Sequence, residues 1–130
     1  MMKLMAIDYG TKRVGVASTD ETGKFALPRE VFPNDAGLME KILAFKLKEG
    51  IEKIVIGESR NLDSTPNPVM AEAERFKKEL EGKGVEVLWH PEVWTTVEAR
   101  RLQGNTDLTD ASAAALILKS FIDLSYNNSQ

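Results

Sequence analysis

Lys3-Leu4-Met5-Ala6-Ile7-Asp8-Tyr9-Gly10-Thr11-Lys12-Arg13-Val14-Gly15-Val16-Ala17-Ser18 sets two apolar runs on either side of a polar turn. Leu4 to Ile7 is a short continuous apolar run, the pattern of a strand covered on both faces. Tyr9 to Lys12 reads as a turn, and Val14 to Ala17 returns as a second strand, so the stretch predicts a hairpin. Its first strand ends on a lone carboxylate, Asp8, beside a glycine, a threonine and two cations.

Working outward, Asp20-Glu21-Thr22-Gly23 is a second turn, and Phe25 to Phe32 a third strand whose Pro28 suits a sheet edge. Helical spacing then takes over. Leu38, Ile42 and Phe45, with Met39, Leu43 and Leu47 as companions, predict a helix that Gly50 ends. Ile54 to Gly57 is a buried strand. Asn67-Pro68 starts a second helix, with Val69, Ala73, Phe76 and Leu80 on one face. Gly82 and Gly84 break it before a fifth strand, Val85 to Trp89. A short helix over 95–102 and a last one from about Asp110 to Leu124 follow. The last helix carries Ala113, Leu116, Ile117, Ser120, Phe121 and Leu124 on its inward face. The order predicts an α/β fold with a five-stranded mixed sheet. Strands 1–3 form an antiparallel meander, strands 4 and 5 run parallel to strand 1, and helices cover both faces.

The length, 130 residues, fits a single domain over 1–130. A 42% hydrophobic and 28% charged composition is that of an ordinary globular protein. With no cysteine, disulfide frameworks and thiolate metal sites are excluded. Neither a bilayer-length apolar run nor a signal-peptide pattern is present, so a cytoplasmic location is expected. A net charge of −3 weighs against a basic nucleic-acid coat protein. It is compatible with a site that concentrates acids around divalent cations and contacts phosphates through a few Lys and Arg.

In such sheets, sites gather beyond the carboxyl ends of the parallel strands. Asp8 closes the first strand, Glu58 follows the fourth and Glu92 the fifth, while Asp110 opens the final helix, whose first-turn amides favour its ionised form. Each acid alone has an ordinary reading as a turn residue, a solvated loop acid or a helix cap. Together on one rim they point to a shared Mg²⁺ or Mn²⁺, which bind through oxygen ligands of this kind and assist phosphodiester hydrolysis.

Three blocks carry a family resemblance. Asp8-Tyr9-Gly10-Thr11-Lys12-Arg13-Val14-Gly15-Val16-Ala17 is similar to D-x-G-x-K-R-[IV]-G-[IV]-A, the opening of the YqgF (RuvX) family. Glu92-Val93-Trp94-Thr95-Thr96-Val97-Glu98-Ala99 resembles that family's D-E-R-L-T-T-x-E-A block. Asp110-Ala111-Ser112-Ala113-Ala114-Ala115-Leu116-Ile117-Leu118 resembles its closing helix. The family comprises Holliday-junction-resolvase-like proteins assigned to maturation of pre-16S rRNA. The resemblance implies a ribonuclease H-like fold and metal-dependent hydrolysis of nucleic acid. Residue by residue it implies Asp8, Glu92 and Asp110 as metal-binding catalytic acids. Pro91 and Val93 depart from the family's Asp and Arg around the middle glutamate, removing a guanidinium from that position. Because the fourth strand is expected beside the first, Glu58 is a further catalytic acid that would supplement or replace Glu92.

Lys12 and Arg13 in the hairpin turn are expected to hold phosphate, as are Thr95 and Thr96 at the start of the short helix; Arg60 and Arg100 are further backbone contacts. His90, the one histidine, reads as structural, and Trp89 and Trp94 as core or base-stacking residues. The expected substrate is pre-rRNA or branched DNA, handled by a monomer or weak homodimer. Two rivals belong to other classes. Asp8-Tyr9-Gly10-Thr11 also resembles the first phosphate loop of actin-like and sugar-kinase folds, but those clamp nucleotide between two domains. A nucleic-acid-binding module of weak activity is the other.

Overall fold

The two apolar runs near the start of the chain pair with each other, and everything else is arranged around that hairpin. The computed structural model describes residues 3–58, 68–91 and 107–128. In chain order its elements are β1 (Leu4–Tyr9), β2 (Arg13–Thr19), β3 (Ala26–Pro33), α1 (Leu38–Glu49), β4 (Lys53–Glu58), α2 (Pro68–Gly82), β5 (Glu86–Pro91) and α3 (Asp107–Asn128). The sheet order is β3-β2-β1-β4-β5. The β1/β2 and β2/β3 pairs are antiparallel, and β1/β4 and β4/β5 are parallel. β1 is therefore central with β4 beside it, as the meander-then-crossover order predicts.

Pro28 does lie in an edge strand. Between Val16 and Ala17 the register with β3 shifts, so that Val16 faces Glu30 and Ala17 faces Pro28, leaving Arg29 as an extra residue. Such a bulge re-aims the inserted side chain. The Arg29 guanidinium donates to Ser18 Oγ at 3.2 Å, pairs with Glu49 at 3.1 Å and lies over the Phe45 ring. It thus ties the edge strand to the end of α1.

Strand alternation divides the core. Met5, Ile7, Val14, Val16, Ile54, Ile56 and Val87 pack against α1 and α2 through Leu38, Ile42, Phe45, Phe76 and Leu80. Leu4, Ala6, Ala17 and Val55 face α3 through Ala114, Ile117, Leu118 and Ile122. Two expectations need correction. Leu47 is exposed because it lies two residues past Phe45, about 200° around the helix. Leu124 is also exposed, since the buried stripe of α3 runs through Ala111, Ala114, Leu118 and Ile122 at spacings of three and four. α3 begins at Asp107 and runs to Asn128, longer at both ends than its apolar pattern; α2 likewise includes Gly82, and the left-handed turn falls at Gly84, φ 85°. The expected helix over 95–102 lies outside the described residues.

Candidate active site

Asp8 occupies the fifth position of β1, and alternation with Leu4 and Ala6 puts it on the α3 side of the sheet. Its neighbours across both adjoining strands lack side chains. Gly15 of β2 is its direct partner. The register with β4 ends at the Ile7–Ile56 pair, and Gly57 is the next residue of β4. Gly57 in turn pairs with His90 of β5. The row Gly15, Asp8, Gly57, His90 crosses the C-terminal end of the parallel strands, where the topology directs ligands. A half-buried carboxylate at that end, bordered by two glycines, has the hard-oxygen chemistry that Mg²⁺ and Mn²⁺ require.

His90 is 6% exposed. Its Nε2 is 2.8 Å from Ser120 Oγ, and its ring meets Phe121 edge-on at 5.9 Å between centroids. Burial pushes the imidazole's pKa below its ordinary 6.5. His90 therefore joins the end of β5 to α3, in agreement with a structural reading. Trp89, one residue earlier, turns to the other face, where it packs against the core with the Lys77 ammonium 5.9 Å from its ring centre.

The turn after Asp8 is tightly folded. A Cβ on Gly10 would stand 2.5 Å from the Arg13 carbonyl oxygen, so a side chain there would force the backbone to move. Thr11, Lys12 and Arg13 are exposed. Asn34, which nothing in the pattern of apolar residues or charges singled out, holds this turn. Its Nδ2 donates to the Gly10 carbonyl at 2.8 Å, and its backbone N–H donates to the Lys12 carbonyl at 2.9 Å.

Of the four acids, Asp8 alone has a described side chain. Glu58 is placed by its backbone as the last residue of β4, level with Pro91, and Asp110 by its backbone as the fourth residue of α3, one turn before the buried Ala114. Glu92, Arg60, Trp94, Thr95, Thr96 and Arg100 lie outside the described residues. Among the described residues no group of three or more acids and histidines forms a ready metal cage. Among them, too, no helix is long and apolar enough to cross a membrane.

The geometry has counterparts. The family model described as "RuvX: Holliday junction resolvase" matches residues 2–124. A protein named "Putative pre-16S rRNA nuclease" from Syntrophus aciditrophicus is 33% identical, over 94% of this chain and 89% of its own. One of the same name from Escherichia coli (strain K12 / DH10B) is 34% identical, over 95% and 97%. Among solved structures, Thermus thermophilus RuvC superposes with a TM-score of 0.61 at 16% identity, covering 96% of this chain and 97% of that one. The fowlpox virus Holliday junction resolvase gives 0.60 at 11% identity, covering 95% and 99%. At such identities the structural likeness establishes the fold, that of the RuvC-like, ribonuclease H-type resolvases. The family match and the sequence relatives, each spanning nearly the whole chain, establish more: this chain belongs to the RuvX family.

Proposed function

We propose that the chain is a divalent-metal-dependent nuclease that hydrolyses phosphodiester bonds of structured nucleic acid and matures the 5′ end of pre-16S rRNA. It would act in the cytoplasm as a single domain over 1–130, as a monomer or weak homodimer. The observation that carries this reading is the position of Asp8. It is the penultimate residue of the central strand, on the sheet face that α3 covers, and the first turns of α3 include Asp110.

Asp8, Glu92 and Asp110 would hold Mg²⁺ or Mn²⁺, with Glu58 as a further or alternative middle ligand. The bound cation supplies Lewis-acid stabilisation of phosphate oxygens and a more acidic water. The chain's own part is positional. Asp8 is paired with Gly15 of β2 and follows Ile7, which is paired on both sides, so the carboxylate needs little reorganisation when substrate arrives. Lys12 and Arg13, within five residues of Asp8, would hold a phosphate next to the scissile one. Thr95 and Thr96 would offer amides and hydroxyls, and Arg60 and Arg100 further cationic contacts.

A second reading, resolution of branched DNA, is favoured by the family's description as Holliday junction resolvases. A cleavage panel separates the two. Pre-16S rRNA fragments, duplex RNA and a four-way DNA junction are each incubated with Mg²⁺ or Mn²⁺, with Asp8→Asn as control. Selective cutting of the rRNA precursor supports maturation, and selective cutting of the junction supports resolution. Binding to either without metal-stimulated cutting leaves a nucleic-acid-binding module.

A further inference from the structure

We propose that Asn34 is a positioning residue that shapes the Gly10–Arg13 turn into a phosphate-facing surface beside Asp8. The inference rests on the nuclease reading for the identity of the ligand, but its evidence is independent of the acids. One residue closes on two carbonyls of the same turn: Gly10 O through its side-chain amide and Lys12 O through its backbone N–H. Carbonyl oxygens repel phosphate oxygens, and Asn34 turns both inward and occupies them. Because a trans peptide sets its N–H opposite its carbonyl, satisfying Gly10 O directs the Thr11 N–H away from Asn34. The exposed Thr11, Lys12 and Arg13 complete an outer face rich in donors and positive charge.

The clamp is rooted in the core. On one side of Asn34 is β3. On the other, Asp35 accepts from Gly37 N through Oδ1 at 2.9 Å and from Leu38 N through its carbonyl at 3.1 Å. Leu38 is 3% exposed and opens α1. Asn34 is therefore held by a strand and a helix start, and it transmits that rigidity to a turn two residues from Asp8. Asparagine is well suited to the task. Leucine of similar size has no donor, and aspartate would aim a carboxylate at the Gly10 carbonyl.

The test uses the full chain and a fluorescein-labelled RNA spanning the 5′ end of pre-16S rRNA, titrated without divalent metal over a range of salt. Asn34→Leu is expected to weaken binding about 3- to 10-fold, the worth of one hydrogen bond, and to lower the salt slope by about 0.7 as one phosphate contact is lost. Lys12→Ala is expected to cost a similar factor, and the double variant no more than the larger single loss, because both act through one surface. In cleavage, KM should rise more than kcat falls. Asn34→Ala, which cannot clash, guards against a misfit of the leucine. Binding by both Asn34 variants at wild-type strength, or losses that multiply in the double variant, overturns the proposal. If the wild type binds with this pattern yet cuts nothing with Mg²⁺ or Mn²⁺, the nuclease reading fails and the clamp stands. If it cuts and both Asn34 variants bind as wild type, the clamp alone fails; a wild type that binds no RNA overturns both.

Discussion

The two faces of the sheet are built from different side chains. Towards α1 and α2 the strands present Met5, Ile7, Val14, Val16, Ile54 and Ile56, all fully buried. Towards α3 they present Leu4 at the far end, then Ala6, Ala17 and Val55, continued towards the rim by Gly15, Asp8 and Gly57. Among the described side chains the helix answers first with the buried Ala111, Ala113 and Ala114 and then with the larger Ile117, Leu118 and Ile122. Bulky residues on the first face contribute most of the apolar burial. Small ones on the second allow backbone to come close to backbone near Asp8. One face supplies stability and the other carries the proposed site.

The largest test of that contrast is Asp8→Asn, expected to reduce cleavage by roughly 10³-fold or more while shifting the melting temperature by only a few degrees. Ile7→Ala, its immediate neighbour on the opposite face, should do the reverse. Urea unfolding should show a loss of about 2–5 kcal/mol, with cleavage per folded molecule retained. Ala114→Leu probes the second face directly. Overpacking there should cost about 1–3 kcal/mol and, by displacing α3 from the rim, lower the cleavage rate of the folded fraction as well. Wild-type turnover in that variant would break the comparison, because α3 could then shift without consequence for the site.

The smallest effect lies far from both faces. The Thr22 hydroxyl, followed by backbone amides of the β2–β3 turn, lowers the pKa of Asp20 from its ordinary 3.8. A carboxylate with a depressed folded-state pKa stabilises the fold above its unfolded value and loses that contribution as pH falls through the folded one. The Asp20 carboxyl ¹³C titration should therefore have its midpoint below 3.8, and Thr22→Ala should move it upward.

Much of this was legible in the order of apolar runs. Apolar runs bounded by turn residues and glycines located all five strands, and Pro28 marked the edge. The strands overrun their apolar cores at Arg13 and Glu58 because ladder hydrogen bonds are indifferent to side-chain polarity. Leu47 and Leu124 were misplaced for a different reason: hydrophobicity alone does not specify which stripe of a helix meets the sheet. The aspartate at the tip of β1 was legible from its position after an apolar run. Asn34 was not, since its role depends on a contact 24 residues distant in sequence with a backbone carbonyl. Nor was the Ser120 partner of His90, 30 residues away. Contacts of that kind leave no periodic trace.

The central claim is that Asp8 and Asp110 meet at a divalent cation. Crystals grown with millimolar Mn²⁺ and measured at the manganese absorption edge test it most directly. The account predicts an anomalous peak with carboxylate oxygens of both residues roughly 2.0–2.2 Å away, the distance typical of a hard octahedral cation, and its loss in Asp8→Asn. Metal-stimulated cleavage by a protein whose crystals show manganese elsewhere and none at Asp8 would contradict it.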